Sequence, residues 1–377
     1  MKSNILHIIQ GGKGGTLEYL KQLLPLLNKD KYDITVICHG DIFCELKQLG
    51  FKVVNINMKR AISPLYDLKA LLQINKYLKT HKTDLVHLHS SKAGFLGRLA
   101  AKWNRVPCIY NPHGWSFNIK TNSIKKNLYK LLEKVAVNWT DKIVAISGSE
   151  YQSALNEKIC GSKKLILIEN GIDISKYVFE SDDVFKKQLG ITEKERIVGM
   201  CARLSKQKDP LTFIEIAKCV TEQYPKCKFM LVGDGELREQ VENKIKKLQL
   251  KEKVILTGWT SHPEKYINIF DIGVLTSIWE GFGLSLAEYM ACGKPIVASR
   301  VDGIPFVVRD RIDGYLCEPG NIREFSNFII KILKNDDLYK KISTTIVERA
   351  KNNFDINRVS KQHEKLYEEL ILHAKEY

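Results

Sequence analysis

The chain has no cysteines in CxxC spacing, no apolar run of membrane-spanning length, and no two aspartates separated by a single residue. Nine scattered cysteines, an odd number, argue against a disulfide framework or a zinc site and fit a reducing cytoplasm. A transmembrane helix needs about 20 apolar residues. The N-terminal ILHII run is too short for a signal peptide and breaks at Gly11 and Gly12. The dinucleotide fingerprint GxGxxG is also missing. GGKGG at 11–15 lacks its third glycine in place, which weakens the case for an NAD-dependent dehydrogenase. No basic stretch interleaved with aromatics suggests nucleic-acid recognition.

What is present suits two domains. The 377 residues are 44% hydrophobic, enough for two sizeable cores. Charge is uneven: residues 1–175 hold 26 Lys+Arg against 13 Asp+Glu, and the remainder holds 33 against 30. Such asymmetry points the first half toward a polyanionic surface, either nucleic acid or anionic lipid, unless the lysines only solubilise it.

Strand and helix signals alternate from the start. Apolar strands are expected at 5–9, 34–38, 53–56, 85–89, 108–110, 142–147 and 165–170. Helices are expected at 16–27, 42–49, 65–79 and 120–139. The second half repeats the pattern, with strands at 197–201, 229–232, 254–259, 273–276 and 296–298. Helices are expected from Pro210, at 284–292 and at 357–372. Alternation of this kind predicts parallel sheets covered by helices on both faces, an α/β fold. The 120–139 helix is basic and amphipathic, with Ile124, Leu128, Leu131, Leu132, Val135 and Trp139 at helical spacing among five lysines. It suits either packing on the sheet or lying on anionic lipid.

The chemistry concentrates at 273–299, GVLTSIWEGFGLSLAEYMACGKPIVAS. A strand, a glycine loop and a helix start converge free N–H groups and the helix dipole on an anion. Glu280 lies in the loop and Glu288 one turn into the helix, on the face of Ser285. Carboxylates accept from hydroxyls and repel phosphate, so the combination suggests a ligand with both diphosphate and diols, a nucleotide-sugar. Arg203 and Lys208 leave another strand in one loop, where a guanidinium fork and an ammonium can reach one diphosphate. His113, between Pro112 and Gly114 after a strand, can donate to a sugar hydroxyl.

SxxEGFGLxxxExMACGKPIVAS, with the glycine loop at 11–15, ARLSKQKDP, Gly258-Trp259 and NGID in order, resembles the retaining family-4 glycosyltransferases of the GT-B fold. HSSKAGxLGRxAA…PHGWSF is most similar to bacterial transferases that build exopolysaccharide, capsule or O-antigen on a lipid carrier. The resemblance implies two Rossmann-like doubly wound domains facing a central cleft. Residues 1–175 would bind the acceptor and 176–356 the nucleotide-sugar, with a C-terminal helix at 357–377 crossing back. It implies that Gly14 and Gly15 face the donor diphosphate and the acceptor, and that His113 meets the donor sugar. Arg203 and Lys208 would hold the diphosphate, although Ala202 replaces the usual glycine before the arginine. Gly258 and Trp259 would frame the base. Glu280 with the N–H groups of Gly281, Phe282 and Gly283 would hold the donor, Leu284 and Ser285 would stabilise the leaving diphosphate, and Glu288 would take the ribose diol.

No enzymic nucleophile stands out, so the resemblance implies front-face transfer with retention, the leaving phosphate helping to deprotonate the acceptor. The missing DxD fits a reaction that uses cations and amides instead of a metal ion. Expected partners are a UDP-sugar and a glycan or polyprenyl-linked acceptor, without cofactor or nucleic acid. The expected location is cytoplasmic, peripheral on the inner face of the cell membrane. Rival readings are a nucleotide-sugar epimerase on the same architecture, a glycosidase using two carboxylates, and a basic nucleic-acid-binding protein.

Overall fold

Short runs of branched aliphatic residues between helical periods build two all-parallel sheets in the computed structural model of the chain. It describes residues 2–11, 15–59, 61–119, 122–177 and 183–375. The chain divides into two compact units, Met1–Gly171 with Ile356–Tyr377, and Ile172–Asp355.

The first unit has seven strands: β1 (Ser3–Ile9), β2 (Tyr32–Cys38), β3 (Lys52–Asn55), β4 (Leu85–His89), β5 (Cys108–Asn111), β6 (Lys142–Ala145) and β7 (Leu165–Leu167). Their order is β3-β2-β1-β4-β5-β6-β7, so the winding direction reverses between β1 and β4. Side chains alternate across the sheet with period two. Leu6, Ile8, Val86 and Leu88 enter one core, beneath the helices Pro64–Thr80 and Ser91–Asn104. Ile5, Ile9 and Leu85 enter the other, with Leu17 and Leu20 of the helix Gly15–Leu23 and Leu366 and Tyr367 of the helix Ile356–Lys375.

The SSKAGFLGR stretch is explained by packing. A Cβ at Gly94 would sit 2.2 Å from the Tyr110 ring, and one at Gly97 would sit 2.2 Å from Leu88. Arg98 is fully buried, its guanidinium 4.0 Å from the centroid of the Tyr110 ring. It donates to Glu133 at 2.8 Å and to the Gly94 carbonyl at 2.9 Å, and Tyr110 Oη donates to the other Glu133 oxygen at 3.1 Å. This network ties the helix Ser91–Asn104 to the helix Ser123–Ala136.

The second unit has six strands: β8 (Arg196–Cys201), β9 (Cys227–Val232), β10 (Val254–Gly258), β11 (Ile272–Leu275), β12 (Ile296–Ser299) and β13 (Gly314–Cys317). Their order, β10-β9-β8-β11-β12-β13, reverses between β8 and β11. Gly273 leaves room for the Tyr289 ring, and the Cys201 N–H donates to Tyr289 Oη at 2.7 Å, locking the helix Leu284–Ala291 onto both switch-point strands.

Three expected elements end early for local reasons. The helix expected at 16–27 stops at Leu23, because Pro25 lacks an N–H and starts a 3₁₀ turn at Leu24–Leu26. The basic helix begins at Ser123, where the Asn122 side chain accepts from Lys125 N–H, and tightens into a 3₁₀ turn at Val137–Trp139. The strand expected at 142–147 ends at Ala145, since Ser147 is the N-cap of the helix Gly148–Asn156.

Candidate active site

In an open parallel sheet, ligands bind beyond the carboxyl ends of the strands where the order reverses. In the second unit the loop 202–209, after β8, and the loop 276–283, after β11, meet there. Thr276 Oγ1 donates to the carbonyls of Lys208 and Asp209, both at 2.9 Å. Ile278 N–H donates to the Gln207 carbonyl at 2.8 Å, and Gln207 Nε2 returns a bond to the Trp279 carbonyl at 3.0 Å. Across this seam the Lys208 ammonium rests on the Glu280 carboxylate. Ser277 Oγ donates to the same Glu280 oxygen at 3.3 Å.

Glu280 is held from behind. Its N–H donates to Asp302 at 3.0 Å, and its carbonyl accepts from Gly303 N–H at 2.9 Å. A Cβ on Gly303 would lie 2.0 Å from the Gly281 carbonyl oxygen, so only glycine allows this approach. Gly283 has φ +84° and precedes the helix start at Leu284–Ser285. Among the described residues nothing accepts from the N–H groups of Gly281, Phe282, Gly283, Leu284 or Ser285. They form a set of donors suited to an anion. Phe282 contributes backbone only, since its ring is buried against Phe354.

The rim continues along the neighbouring strand ends. Gly233 and Gly235 pass so close to the carbonyls of Ala202 and Leu204 that a Cβ would fall 2.1 and 2.4 Å from their oxygens. The Arg203 guanidinium is exposed and has no ion pair among the described residues. Gly258 has φ +76°, its carbonyl accepts from Gly233 N–H at 3.0 Å, and Trp259 beside it is 74% exposed. Glu288 takes a hydrogen bond from Tyr177; burial first, then this carboxyl, pushes the Tyr177 hydroxyl well above its usual range. Thus Glu280, Lys208 and the open N–H groups are brought together, whereas Arg203 stands apart from Lys208's ion pair. Asp302, Gly303 and Tyr177 were not anticipated, because nothing in their local sequence marks them.

In the first unit, Gly15 opens the helix Gly15–Leu23, while Gly14 lies outside the described residues. His113 follows β5 with φ 52°, and Gly114 has φ 104°. The Gly114 N–H donates to the buried Glu150 carboxylate, whose other oxygen accepts from Ile146 N–H at 3.0 Å. Burial pushes the Glu150 carboxyl up to about 7 against those two donors. Behind His113 stands a cluster of His7, His87, His89 and His363. His89 Nδ1 is 3.0 Å from His113 Nε2, and His89 Nε2 is 3.0 Å from His7 Nδ1. Burial lowers His87 to about 4 and, with the nearby His87, lowers His113 to about 3. His7, His89 and His363 fall well below their ordinary value for the same main reason, so all five rings are neutral near pH 7.

His7, His87 and His89 are close enough together for metal ligation. However, His89 spends both nitrogens on His7 and His113. His87 spends Nε2 on Asn111 Oδ1 at 2.9 Å and Nδ1 on Tyr367 Oη at 2.6 Å. Both nitrogens of His87 and of His89 are committed to neighbours, and only His7 Nε2 is left, so the three rings do not offer a converging set of lone pairs.

Two doubly wound parallel units, the second with a glycine-lined donor rim at its switch point, define the GT-B architecture of nucleotide-sugar transferases. A model described as "Glycosyltransferase Family 4" matches residues 13–176, and one described as "Glycosyl transferases group 1" matches residues 181–349. The chain is 31% identical over 359 residues to the Escherichia coli UDP-Gal:α-D-GlcNAc-diphosphoundecaprenol α-1,3-galactosyltransferase, covering 93% of this chain and 92% of that protein. It is 28% identical over 369 residues to a Campylobacter jejuni N,N'-diacetylbacillosaminyl-diphospho-undecaprenol α-1,3-N-acetylgalactosaminyltransferase, covering 93% and 94%. Among solved structures, Anabaena HepE in complex with UDP-glucose superimposes with TM-score 0.80 at 25% identity, over 96% of this chain and 99% of that one. The chain belongs to the family-4 glycosyltransferases of the GT-B fold. It is a glycosyltransferase, and the epimerase reading is set aside.

Proposed function

We propose that this glycosyltransferase moves a sugar from a UDP-sugar to a polyprenyl diphosphate-linked glycan in surface-polysaccharide synthesis, with retention and without a metal ion. One observation carries the reading: at the second unit's switch point, the Lys208–Glu280 pair adjoins backbone donors that have no acceptor among the described residues. The names of the Escherichia coli and Campylobacter relatives support the acceptor class, and HepE, seen with UDP-glucose, supports the donor.

The C1–O bond to the diphosphate breaks as the acceptor hydroxyl bonds to C1 on the same face, and its proton passes to the departing phosphate oxygen. Negative charge grows on the diphosphate, so fixed cations and N–H groups lower the barrier most. Arg203, Lys208 and the amides of Leu284 and Ser285 supply them. Glu280 and the amides of 281–283 hold sugar hydroxyls, and His113 donates to one. Glu288 takes the ribose diol, Gly258 and Trp259 frame the base, and Gly15 faces the diphosphate and acceptor.

An assay of UDP-sugars with a synthetic GlcNAc-diphospholipid, run with excess chelator and read by NMR of the product anomer, tests this. The expected product is α-linked and forms undiminished with chelator. An inverted anomer, or activity abolished by chelation and restored by a divalent ion, overturns it.

The acceptor's lipid places the enzyme at a membrane surface. Among the described residues no helix is long and apolar enough to cross a bilayer. The helix Ser123–Ala136 turns its apolar stripe away from the sheet, leaving Ile124 79% and Leu131 58% exposed, with Leu128 and Val135 beside them. On the same helical layer, Pro64–Thr80 exposes Leu65, Leu68 and Leu72 between Lys69 and Lys76. Apolar stripes edged with lysines suit an anionic bilayer. Flotation with phosphatidylglycerol vesicles, lost on Leu128→Glu with Leu131→Glu, supports docking. Equal flotation on neutral vesicles, or none, removes it.

A further inference from the structure

Three imidazoles run in line from the sheet to the loop after β5. The contacts are His7 Nδ1 to His89 Nε2 and His89 Nδ1 to His113 Nε2, each at 3.0 Å. An N···N hydrogen bond needs one N–H and one lone pair, and a neutral imidazole has one of each. The three tautomers are therefore not independent. If His89 carries its proton on Nδ1, it donates to His113 Nε2, so His113 must be protonated on Nδ1, while His7 donates from Nδ1. If His89 carries it on Nε2, every assignment reverses. The row has two allowed states and no mixture without a broken bond.

The far end decides between them. His7 is fully buried and its Nε2 finds no hydrogen-bond partner. In the reversed state that nitrogen would be an N–H donor without an acceptor; in the first state it is only an unused lone pair. A buried orphan donor is the rarer and costlier of the two. The neighbouring ring offers no alternative proton route, because His87 is fixed separately: Asn111 Oδ1 requires an N–H on Nε2, and Tyr367 Oη donates to Nδ1. His113 Nδ1, the one nitrogen of the row left toward the loop, has no partner among the described residues.

We propose that His7 and His89 are positioning residues that hold His113 in its Nδ1–H form, so that the loop presents a hydrogen-bond donor to a hydroxyl of the transferred sugar. The inference rests on the reading of His113 as a donor-sugar contact, but the tautomer itself can be measured without any substrate. Neither positioning ring touches substrate in this scheme. Each acts by denying His113 the tautomer that would offer a lone pair.

The test is two-bond ¹H–¹⁵N correlation spectroscopy of the full chain labelled at histidine, at pH 7.5, with His113→Gln used to assign that ring. The expected wild-type pattern shows His113 protonated on Nδ1 and His7 carrying its lone pair on Nε2. His113 on Nε2 overturns the proposal at once, even if no variant folds. In His89→Leu, with folding checked by circular dichroism, the His113 pattern is expected to leave the pure Nδ1–H form. The kcat for transfer should fall at least tenfold, and UDP affinity, which the second unit supplies, should stay within twofold. His89→Gln, whose amide can both donate and accept, should restore part of the rate. An unchanged His113 pattern in folded His89→Leu overturns the positioning role. A confirmed tautomer with His113→Gln fully active would instead overturn only the sugar-contact reading.

Discussion

Lys208 and Glu280, 72 positions apart, close an ion pair over the seam between two strand-end loops, with side chains only 18% and 10% exposed. The pair is poised between two duties. On the proposed reading, Lys208 pairs with a carboxylate until a diphosphate arrives, and the pairing aims Glu280 for sugar hydroxyls. Lys208→Met and Glu280→Gln are each expected to lower kcat/KM by about 10²–10³, the range for losing one transition-state stabiliser. Lys208→Met should act chiefly on UDP affinity and leaving-group departure. Glu280→Gln should leave UDP affinity nearly intact while donor-sugar turnover falls. Isothermal titration with UDP, set beside transfer kinetics, checks the division; equal effects on UDP binding would contradict it.

Gly303→Ala is expected to damage the site without touching it. The added methyl would meet the Gly281 carbonyl at 2.0 Å, a backbone atom that cannot rotate away. The loop carrying Glu280 must shift, at a cost of about 1–3 kcal/mol in stability. Denaturant unfolding together with the KM for donor measures both consequences. A variant as stable and as active as the parent would show that the loop is looser than described.

The Arg98–Glu133 pair gives a stability prediction far from chemistry. Both side chains are buried, so Arg98→Met alone leaves an uncompensated carboxylate and should cost about 3–5 kcal/mol. Arg98→Met with Glu133→Leu removes both charges and should recover most of that loss. Chemical denaturation of the two variants decides the matter, and a double variant worse than the single one would refute the argument.

Stability should fall on acidification. His87 and His113 titrate near 6.5 when free but near 4 and 3 when folded, so their contribution is present above 6.5 and is lost as pH falls from there. At pH 5 one ring lowered to about 4 withdraws about 2 kcal/mol. Glu150 works the other way: raised from 4.5 to about 7, it contributes below 4.5 and loses that contribution as pH rises to 7. Five histidines lowered in the fold outnumber one raised glutamate, so the net slope between pH 7 and 5 is toward instability. Urea midpoints at pH 7.5, 6 and 5 measure it; a flat or rising profile on acidification would contradict the neutral cluster.

Much of the fold was legible because most strands announce themselves within ten residues: runs such as LVHLH need no distant partner to be read, whereas β13 and the helix Ser91–Asn104 were not anticipated. The donor rim was legible for the same reason, since strand, loop, glycine and helix start are contiguous from 273 to 299. What escaped was long-range. Asp302 supports Glu280 from the loop after β12, and Tyr177 reaches Glu288 from the start of the second unit. The basic helix offered a stripe that could face either way, and only its neighbours decide: Glu133 and Ala136 are buried and Leu132 half-buried, while Leu128 and Leu131 face out. The histidine row was invisible because residues 7, 89 and 113 meet only when β1, β4 and β5 lie side by side.

The helix Ile356–Lys375 belongs to the unit that begins the chain, where His363 accepts from Tyr19 or donates to it at 2.7 Å and Tyr367 meets His87 at 2.6 Å. A ribosome therefore emits the whole second unit as one uninterrupted segment before the first can be completed. The order of synthesis and the order of completion are inverted: the second unit can close while the opening one still waits for the helix that covers its histidines. A chaperone acting on the nascent polypeptide would find its client at the beginning of the message, and a late stop codon would cripple the earliest-made part.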